Sequence, residues 1–117
     1  MKIAVLSDIH DNIWNLEEAL SAVAQVQAER LFFLGDFCAP FTLAQIAEAF
    51  PGPIDAIFGN NDGDPHLLNS IASNHDHVTL HGQLAEIEVD GIAVGLNHYP
   101  DIARGLAESQ RYRAVFS

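Results

Sequence analysis

The sequence is poor in basic residues. Five Lys and Arg stand against 16 Asp and Glu, which gives a formal net charge of −11. A surface of this charge repels nucleic acid and anionic membrane, so neither is a predicted partner. It would also repel a phosphorylated small molecule unless cations intervened between the two.

Disulfides, long apolar runs and a secretory leader are lacking as well. The one cysteine, Cys38, excludes an internal disulfide and is typical of a reducing compartment. No apolar run reaches the roughly 18 residues of a membrane span. The start MKIAVLSD meets an acid and a histidine at once, which is wrong for a secretory signal. We therefore expect a cytoplasmic protein.

The length and composition suit one domain that spans residues 1–117. The hydrophobic fraction of 49% is ordinary for a chain that buries a core. Short apolar runs that end in loops predict strands, and apolar residues at helical spacing predict helices between them. After residue 74 the pattern alternates with period two and contains an Asp90-Gly91 hairpin turn. Strands are predicted at 2–6, 31–34, 54–58, 78–80, 84–89, 92–96 and 112–116, and helices at 13–28, 40–50, 65–73 and 100–109.

This order predicts a layered α/β domain whose strands are parallel early and mixed later. Asn12 can cap the first helix. Trp14 and Phe41 are expected to pack their helices against the sheet.

Polar side chains follow four of the predicted strands. Asp8 and His10 follow the first strand, Asp36 the second, Asn60 the third, and His98 the strand at 92–96. Ligands of α/β sheets bind outside the carboxyl ends of parallel strands, so these side chains can meet at one edge. Carboxylates, an amide and imidazoles suit Mn, Fe, Ni or Zn better than Ca.

Acidic residues crowd the same edge, which strengthens the case for cations. Unpaired carboxylates this close would raise one another's pKa values and destabilise the fold, and bound cations would relieve that repulsion. Gly35 and Gly59 allow sharp turns where ligands crowd together. The acids of this edge are Asp8, Asp11, Asp36, Asp62 and Asp64.

Four segments resemble the calcineurin-like metallophosphoesterases, and in particular their small prokaryotic phosphodiesterase branch. The segments are MKIAVLSDIHDN, FLGDF, IFGNNDG and HYPDIARGLAESQRYRAVFS, and the resemblance covers nearly the whole chain. It implies an αββα sandwich with two divalent metals, manganese foremost, and hydrolysis of small phosphate esters by a hydroxide held between the metals. The substrate would be a phosphodiester or phosphomonoester.

The resemblance also implies roles for individual residues. Asp8 and His10 would hold the first metal, Asp36 would bridge both, and Asn60 and His98 would hold the second. Asp36, Asn60 and His98 form the implied catalytic set, and Asn12 and Asn61 the implied substrate-binding set.

The sequence departs from the family pattern at three places. Asn61 stands where many relatives have a histidine that can protonate the leaving group, and His98-Tyr99-Pro100 replaces His-Gly-His. The chain also ends at Ser117, before the family's Gly-His-x-His motif. We therefore expect an incomplete second sheet, a homo-oligomer formed through its exposed edge, and little activity from these 117 residues. The alternative is a catalytically silent relative that acts as a binding or assembly module.

Other candidates receive structural interpretations. His75, His77 and His81 are expected to lie in a solvated turn and His66 on the surface. Cys38 could be a soft ligand, but packing beside the Asp36 loop is the favoured interpretation.

Overall fold

Strands and helices alternate along the first 80 residues of the computed structural model, which describes residues 1–117. Strands β1 (Ile3–Leu6), β2 (Arg30–Phe33), β3 (Ile54–Ala56) and β4 (Val78–Leu80) form one parallel sheet in that order. They are connected by helices α1 (Ile13–Gln25), α2 (Phe41–Ala49) and α3 (Pro65–Ser73). Parallel neighbours need such crossovers, so all four strands end at the same edge of the sheet.

The second sheet contains β5 (Leu84–Val89), β6 (Ile92–Asn97) and β7 (Ala114–Phe116), in that order. Strand β5 runs antiparallel to β6, and β7 runs parallel to β6 after helix α4 (Pro100–Glu108). The predicted change from a parallel to a mixed arrangement is therefore confirmed.

Two apolar layers hold these elements together. Leu31 and Phe33 of β2 pack against α1, α2 and α3, whereas Phe32 and the following Leu34 face the second sheet. Helix α4 packs on the other side of that sheet, against β6 and β7. The alternation of side chains along β2 thus supplies both cores, and the predicted αββα sandwich is confirmed. None of the four helices is both long enough and apolar enough to cross a membrane.

The predicted ends of one helix and one strand are wrong, because the chain turns before the apolar pattern in the sequence ends. Helix α1 ends at Gln25 and not at residue 28, since Gln27 adopts a φ of +58°. Strand β3 ends at Ala56 and not at residue 58. The Phe58 N–H donates to the Gly82 carbonyl at 2.7 Å, outside the strand pairing.

The expectation for two aromatic residues is also wrong. Trp14 is 78% exposed and Phe41 is 53% exposed. Helix α1 buries Leu16 instead, and α2 buries Leu43 and Ile46. Each aromatic residue lies in the first turn, on the side of its helix that faces away from the sheet.

Candidate metal centre

The loops after β1, β2 and β3 are tied to one another by backbone hydrogen bonds. The Asp8 N–H donates to the Gly35 carbonyl at 3.1 Å, and the His10 N–H donates to the Asp36 carbonyl at 3.2 Å. The Cys38 N–H donates to the Asn61 carbonyl at 2.9 Å. These bonds continue the parallel pairing beyond the strands, so the polar side chains of the three loops gather at one edge.

Two glycines allow the second and third loops to touch. Gly35 has a φ of +96°, and a side chain on it would overlap the backbone of Gly59. A Cβ on Gly59 would overlap the Asp36 carboxylate and would lie 2.9 Å from His98 Nδ1. Both positions therefore favour glycine, because the Gly59 backbone fills the space beside Gly35, and Asp36 and His98 fill the space beside Gly59.

The first group of side chains surrounds the His10 imidazole. Its Nε2 lies 3.0 Å from Asp36 Oδ2 and 3.4 Å from Asp8 Oδ1. One donor atom from each of Asp8, His10 and Asp36 falls within 4.8 Å of the other two. On its far side, the His10 Nδ1 lies 3.6 Å from the Cys38 sulfur.

The second group surrounds the His98 imidazole, which is delivered from the second sheet by β6. Its Nε2 lies 2.7 Å from Asn60 Oδ1 and 3.5 Å from Asp36 Oδ1. Its Nδ1 lies 2.7 Å from the Leu34 carbonyl, which can only accept a hydrogen bond. With Nδ1 directed at that carbonyl, Nε2 lies beside two oxygens, which together with it could hold a cation.

Asp36 joins the two groups and is almost fully buried, at 2% exposed. Its Oδ2 faces His10 and its Oδ1 faces His98. The Asn61 backbone N–H also donates to Oδ1, at 2.8 Å, and the Asn61 side-chain amide reaches Oδ2 at 3.4 Å. The structure therefore brings together Asp8, His10, Asp36, Asn60, Asn61 and His98.

The predicted substrate residues differ in position. Asn61 lies against Asp36, next to an open depression of about 380 Å³. Asn12 uses its side-chain oxygen to cap α1, where it accepts from the Asn15 N–H at 3.1 Å, as the sequence predicts. Only its amide N–H groups are left to contact a ligand. The depression is lined by Cys38, Asn60, Asn61, Asp62 and Gly63.

The carboxylate of Asp8 is compensated by hydrogen bonds. The Ser7 hydroxyl donates to it and lowers the pKa of Asp8, partial burial opposes this, and contacts with Asp36 and His10 add to the lowering. Burial raises the pKa of the Cys38 thiol, and the carboxylates around it, Asp11 foremost, raise the pKa further.

Three of the five acids have structural partners that the sequence did not reveal. Asp62 accepts from the backbone N–H groups of Asp36, Phe37 and Gly59 and so joins the second loop to the third. Asp11 accepts from the Ala39 N–H at 2.7 Å and the Thr42 hydroxyl at 3.3 Å. Asp64 caps α3. These carboxylates are compensated by hydrogen-bond donors, so the acidic edge is less strained than its composition indicates.

The remaining histidines do not form a second metal cluster. His77 contacts the Ala47 carbonyl at 2.9 Å, and His81 contacts Asp55 at 2.9 Å. Both are half-buried, so the expected solvated turn is wrong for them. The sequence did contain a signal for the Asp55 contact, because an acid interrupts the apolar strand IDAIF.

Comparison with known proteins identifies related sequences and structures. The profile of the calcineurin-like phosphoesterase superfamily domain matches residues 1–116. The chain is 26% identical over 98 residues to phosphodiesterase MJ0936 of Methanocaldococcus jannaschii. That alignment covers 84% of this chain and 58% of the relative, so the chain spans little more than half of the relative's length.

Solved structures show the same fold. An archaeal phosphodiesterase superposes with a TM-score of 0.88 at 24% identity, over 98% of this chain and 70% of that one. The phosphoesterase Yfce of E. coli superposes with a TM-score of 0.62 at 21% identity, over 86% of this chain and 58% of that one. Because the family profile spans all but one residue, the chain belongs to the calcineurin-like phosphoesterase superfamily.

Proposed function

We propose that this chain carries the centre of a metal-dependent phosphoesterase that uses two divalent ions. The main support is the Asp36 carboxylate, whose Oδ2 lies 3.0 Å from His10 Nε2 and whose Oδ1 lies 3.5 Å from His98 Nε2. One buried carboxylate thus faces two separate groups of donor atoms. Asp8 and His10 would complete the first group, and Asn60 and His98 the second.

The donor atoms fit such ions in type and spacing. Neighbouring ligands of an octahedral ion with metal–ligand distances of about 2.1 Å lie about 3 Å apart. The contacts of His10 with Asp36, at 3.0 Å, and of His98 with Asn60, at 2.7 Å, are close to this value. Mixed imidazole, carboxylate and amide donors favour Mn, Fe, Ni or Zn, and we propose manganese as the first ion to test.

Each residue would contribute to the reaction through its position. Bound divalent ions would supply an activated water and offset the negative charge of the phosphate. Asp36 would set the separation of the two groups, and Asn60 and His98 would hold the second ion. The Asn61 side chain and the free amide N–H groups of Asn12 would donate to phosphate oxygens. Asn61 has no proton to give a leaving group at neutral pH, so esters with acidic leaving groups should react fastest.

The test uses an activated substrate and one matched pair of variants. The complete domain should bind Mn²⁺ in calorimetry and hydrolyse an aryl phosphodiester or monoester, and a chelator should abolish the rate. Asp36→Asn should lower Mn²⁺ affinity by more than about 100-fold, since even the loss of an outer-sphere partner costs about 10- to 100-fold. Asp90→Asn is the control, because Asp90 lies in the hairpin turn before β6, opposite the end that carries His98.

Full activity in chelator, or in Asp36→Asn, would refute the two-metal mechanism.

The homo-oligomer and the cytoplasmic location stay predictions, and sedimentation velocity tests the first of them.

A further inference from the structure

A second polar cluster lies between the two sheets, apart from the candidate metal centre. Its central residue is Asp55 of β3, which is 5% exposed. The Arg30 Nε donates to one carboxylate oxygen at 2.7 Å, and the His81 Nε2 lies 2.9 Å from the other. The neighbours Ile54 and Ala56 face the helices, so Asp55 faces the second sheet. Nothing in the proposed reaction uses this carboxylate.

His81 belongs to the short connection between the sheets. Residues 81–83 link β4 in the first sheet to β5 in the second. The His81 N–H donates to the Ala56 carbonyl at 2.9 Å, and the Gly82 carbonyl accepts from the Phe58 N–H at 2.7 Å. The Gln83 carbonyl accepts from the Asn97 side chain at 3.1 Å. The connection therefore contacts both sheets close to the candidate centre.

The two contacted segments carry candidate ligands. Phe58 is two residues before Asn60, and Asn97 directly precedes His98. Asn60 and His98 come from different sheets but approach to 2.7 Å. That distance depends on how the sheets are held relative to each other at this edge. Apolar packing between the sheets is non-directional, whereas hydrogen bonds specify both distance and angle.

We propose that Asp55, acting through His81 and the 81–83 connection, positions His98 against Asn60. Asp55 and His81 are then positioning residues for the second half of the candidate centre, an inference that rests on the proposed function. Arg30 supports this role as a second donor to the carboxylate. Burial alone would raise the pKa of Asp55, but the hydrogen bonds from His81 and Arg30 outweigh it and lower the pKa. Asp55 is therefore ionised at neutral pH and able to accept from both partners.

The experiment compares three histidine variants of the full 117-residue chain. His81→Leu removes the hydrogen bond to Asp55, and His81→Gln keeps a side-chain N–H that can reach it. His66→Leu is the matched control, since His66 is exposed in the first turn of α3. The first readout is a Mn²⁺ titration by calorimetry. The second is hydrogen exchange of the Phe58 amide by NMR in the metal-free protein.

We expect His81→Leu to weaken the second step of the titration, the binding of Mn²⁺ by Asn60 and His98, by about 10-fold, which is the lower end for loss of an outer-sphere partner. The first step, the binding of Mn²⁺ by Asp8 and His10, should be unchanged. The Phe58 amide should exchange faster in this variant. His81→Gln should restore most of both properties, and His66→Leu should match the wild type. Asp55→Asn gives the same test from the other side of the hydrogen bond if His81→Leu does not fold.

Two results would overturn the inference. One is a His81→Leu protein with both Mn²⁺ steps and Phe58 exchange as in the wild type. The other is equal weakening of both steps, which indicates a general loss of structure. A wild-type protein that binds no Mn²⁺ would refute the proposed function instead. In that case, faster Phe58 exchange and changed chemical shifts of the His98 ring in His81→Leu would still show that His81 positions this edge. Wild-type values of both would show that it does not.

Discussion

Replacement of Gly59 by alanine tests the close contact on which the candidate centre depends. The backbone of Gly59 does not have a positive φ, so alanine is allowed there by conformation and the effect is steric. The added Cβ would overlap Asp36 Oδ1 and would lie 2.8 Å from the Asp36 backbone nitrogen and 2.9 Å from His98 Nδ1. Ordinary contacts of a Cβ begin at 3.4 Å, so Asp36 and His98 must both move by at least several tenths of an ångström.

The expected effect has two parts. Overpacking of a tight site costs about 1–3 kcal/mol. With a urea m-value of roughly 1–2 kcal/mol/M for a chain of this size, the unfolding midpoint of Gly59→Ala should fall by about 0.5–3 M. Because Asp36 would be displaced from both histidines, Mn²⁺ affinity should also fall, by more than about 10-fold. Urea denaturation followed by circular dichroism and calorimetric titration measure the two effects.

Gly105→Ala is the matched control. Gly105 lies within α4 and has no atom within 4 Å of the position that a Cβ would take. Alanine there should stabilise the protein by about 1 kcal/mol through helix propensity and leave Mn²⁺ binding unchanged. A Gly59→Ala protein with the wild-type midpoint and the wild-type Mn²⁺ affinity would refute the steric reasoning.

Three further outcomes follow from the hydrogen bonds and the pKa shifts. Folding lowers the pKa of Asp55 below its ordinary value of 3.8. The ionised carboxylate therefore contributes its full stabilisation of the folded state above that pH, and the contribution is lost as the pH falls below it. Asp55→Asn should therefore flatten the dependence of unfolding free energy on pH below about pH 4, and an unchanged slope in urea titrations would contradict this. Burial and neighbouring carboxylates raise the pKa of Cys38 above 9.0, so the metal-free protein should react with iodoacetamide at pH 8 more slowly than glutathione does. Equal second-order rate constants for the protein and for glutathione would show that the pKa of the Cys38 thiol is not raised. Asp62→Asn turns an amide group towards backbone N–H donors and should cost about 1–3 kcal/mol in thermal unfolding, whereas Asp64→Asn should be nearly neutral, because asparagine caps a helix as well as aspartate does.

Much of the candidate centre could be predicted because it depends on local pattern. Short apolar runs that end in polar loops identify parallel strands, and the ends of parallel strands meet at one edge. The positions of Asp8, His10, Asp36 and Asn60 follow from this rule. His98 follows a strand of the mixed second sheet, and its place beside Asn60 is predicted through the family resemblance.

Local pattern failed where the partner of a side chain is distant in sequence. The acids at the edge were expected to repel one another, but Asp62 accepts three backbone N–H groups, two of them from the loop 25 or 26 residues away. Trp14 was expected to pack on the sheet, but Leu16 fills that place. Spacing defines which residues share a helix face, and the rotation of the helix on the sheet decides which face is buried.

The amino-acid sequence is sufficient for the element order, the polar loops and the acidic charge, since each depends on residues within a few positions of one another. The tertiary structure decided that Asp36 presents one oxygen to His10 and the other to His98. It also decided that Asp55 pairs with residues that begin β2 and follow β4. The Asp55 contacts join three neighbouring strands of one sheet, whereas the contact of Asp36 with His98 depends on the rotation and separation of the packed sheets. Those quantities are set jointly by every contact in the two cores, so no single segment of the chain encodes them.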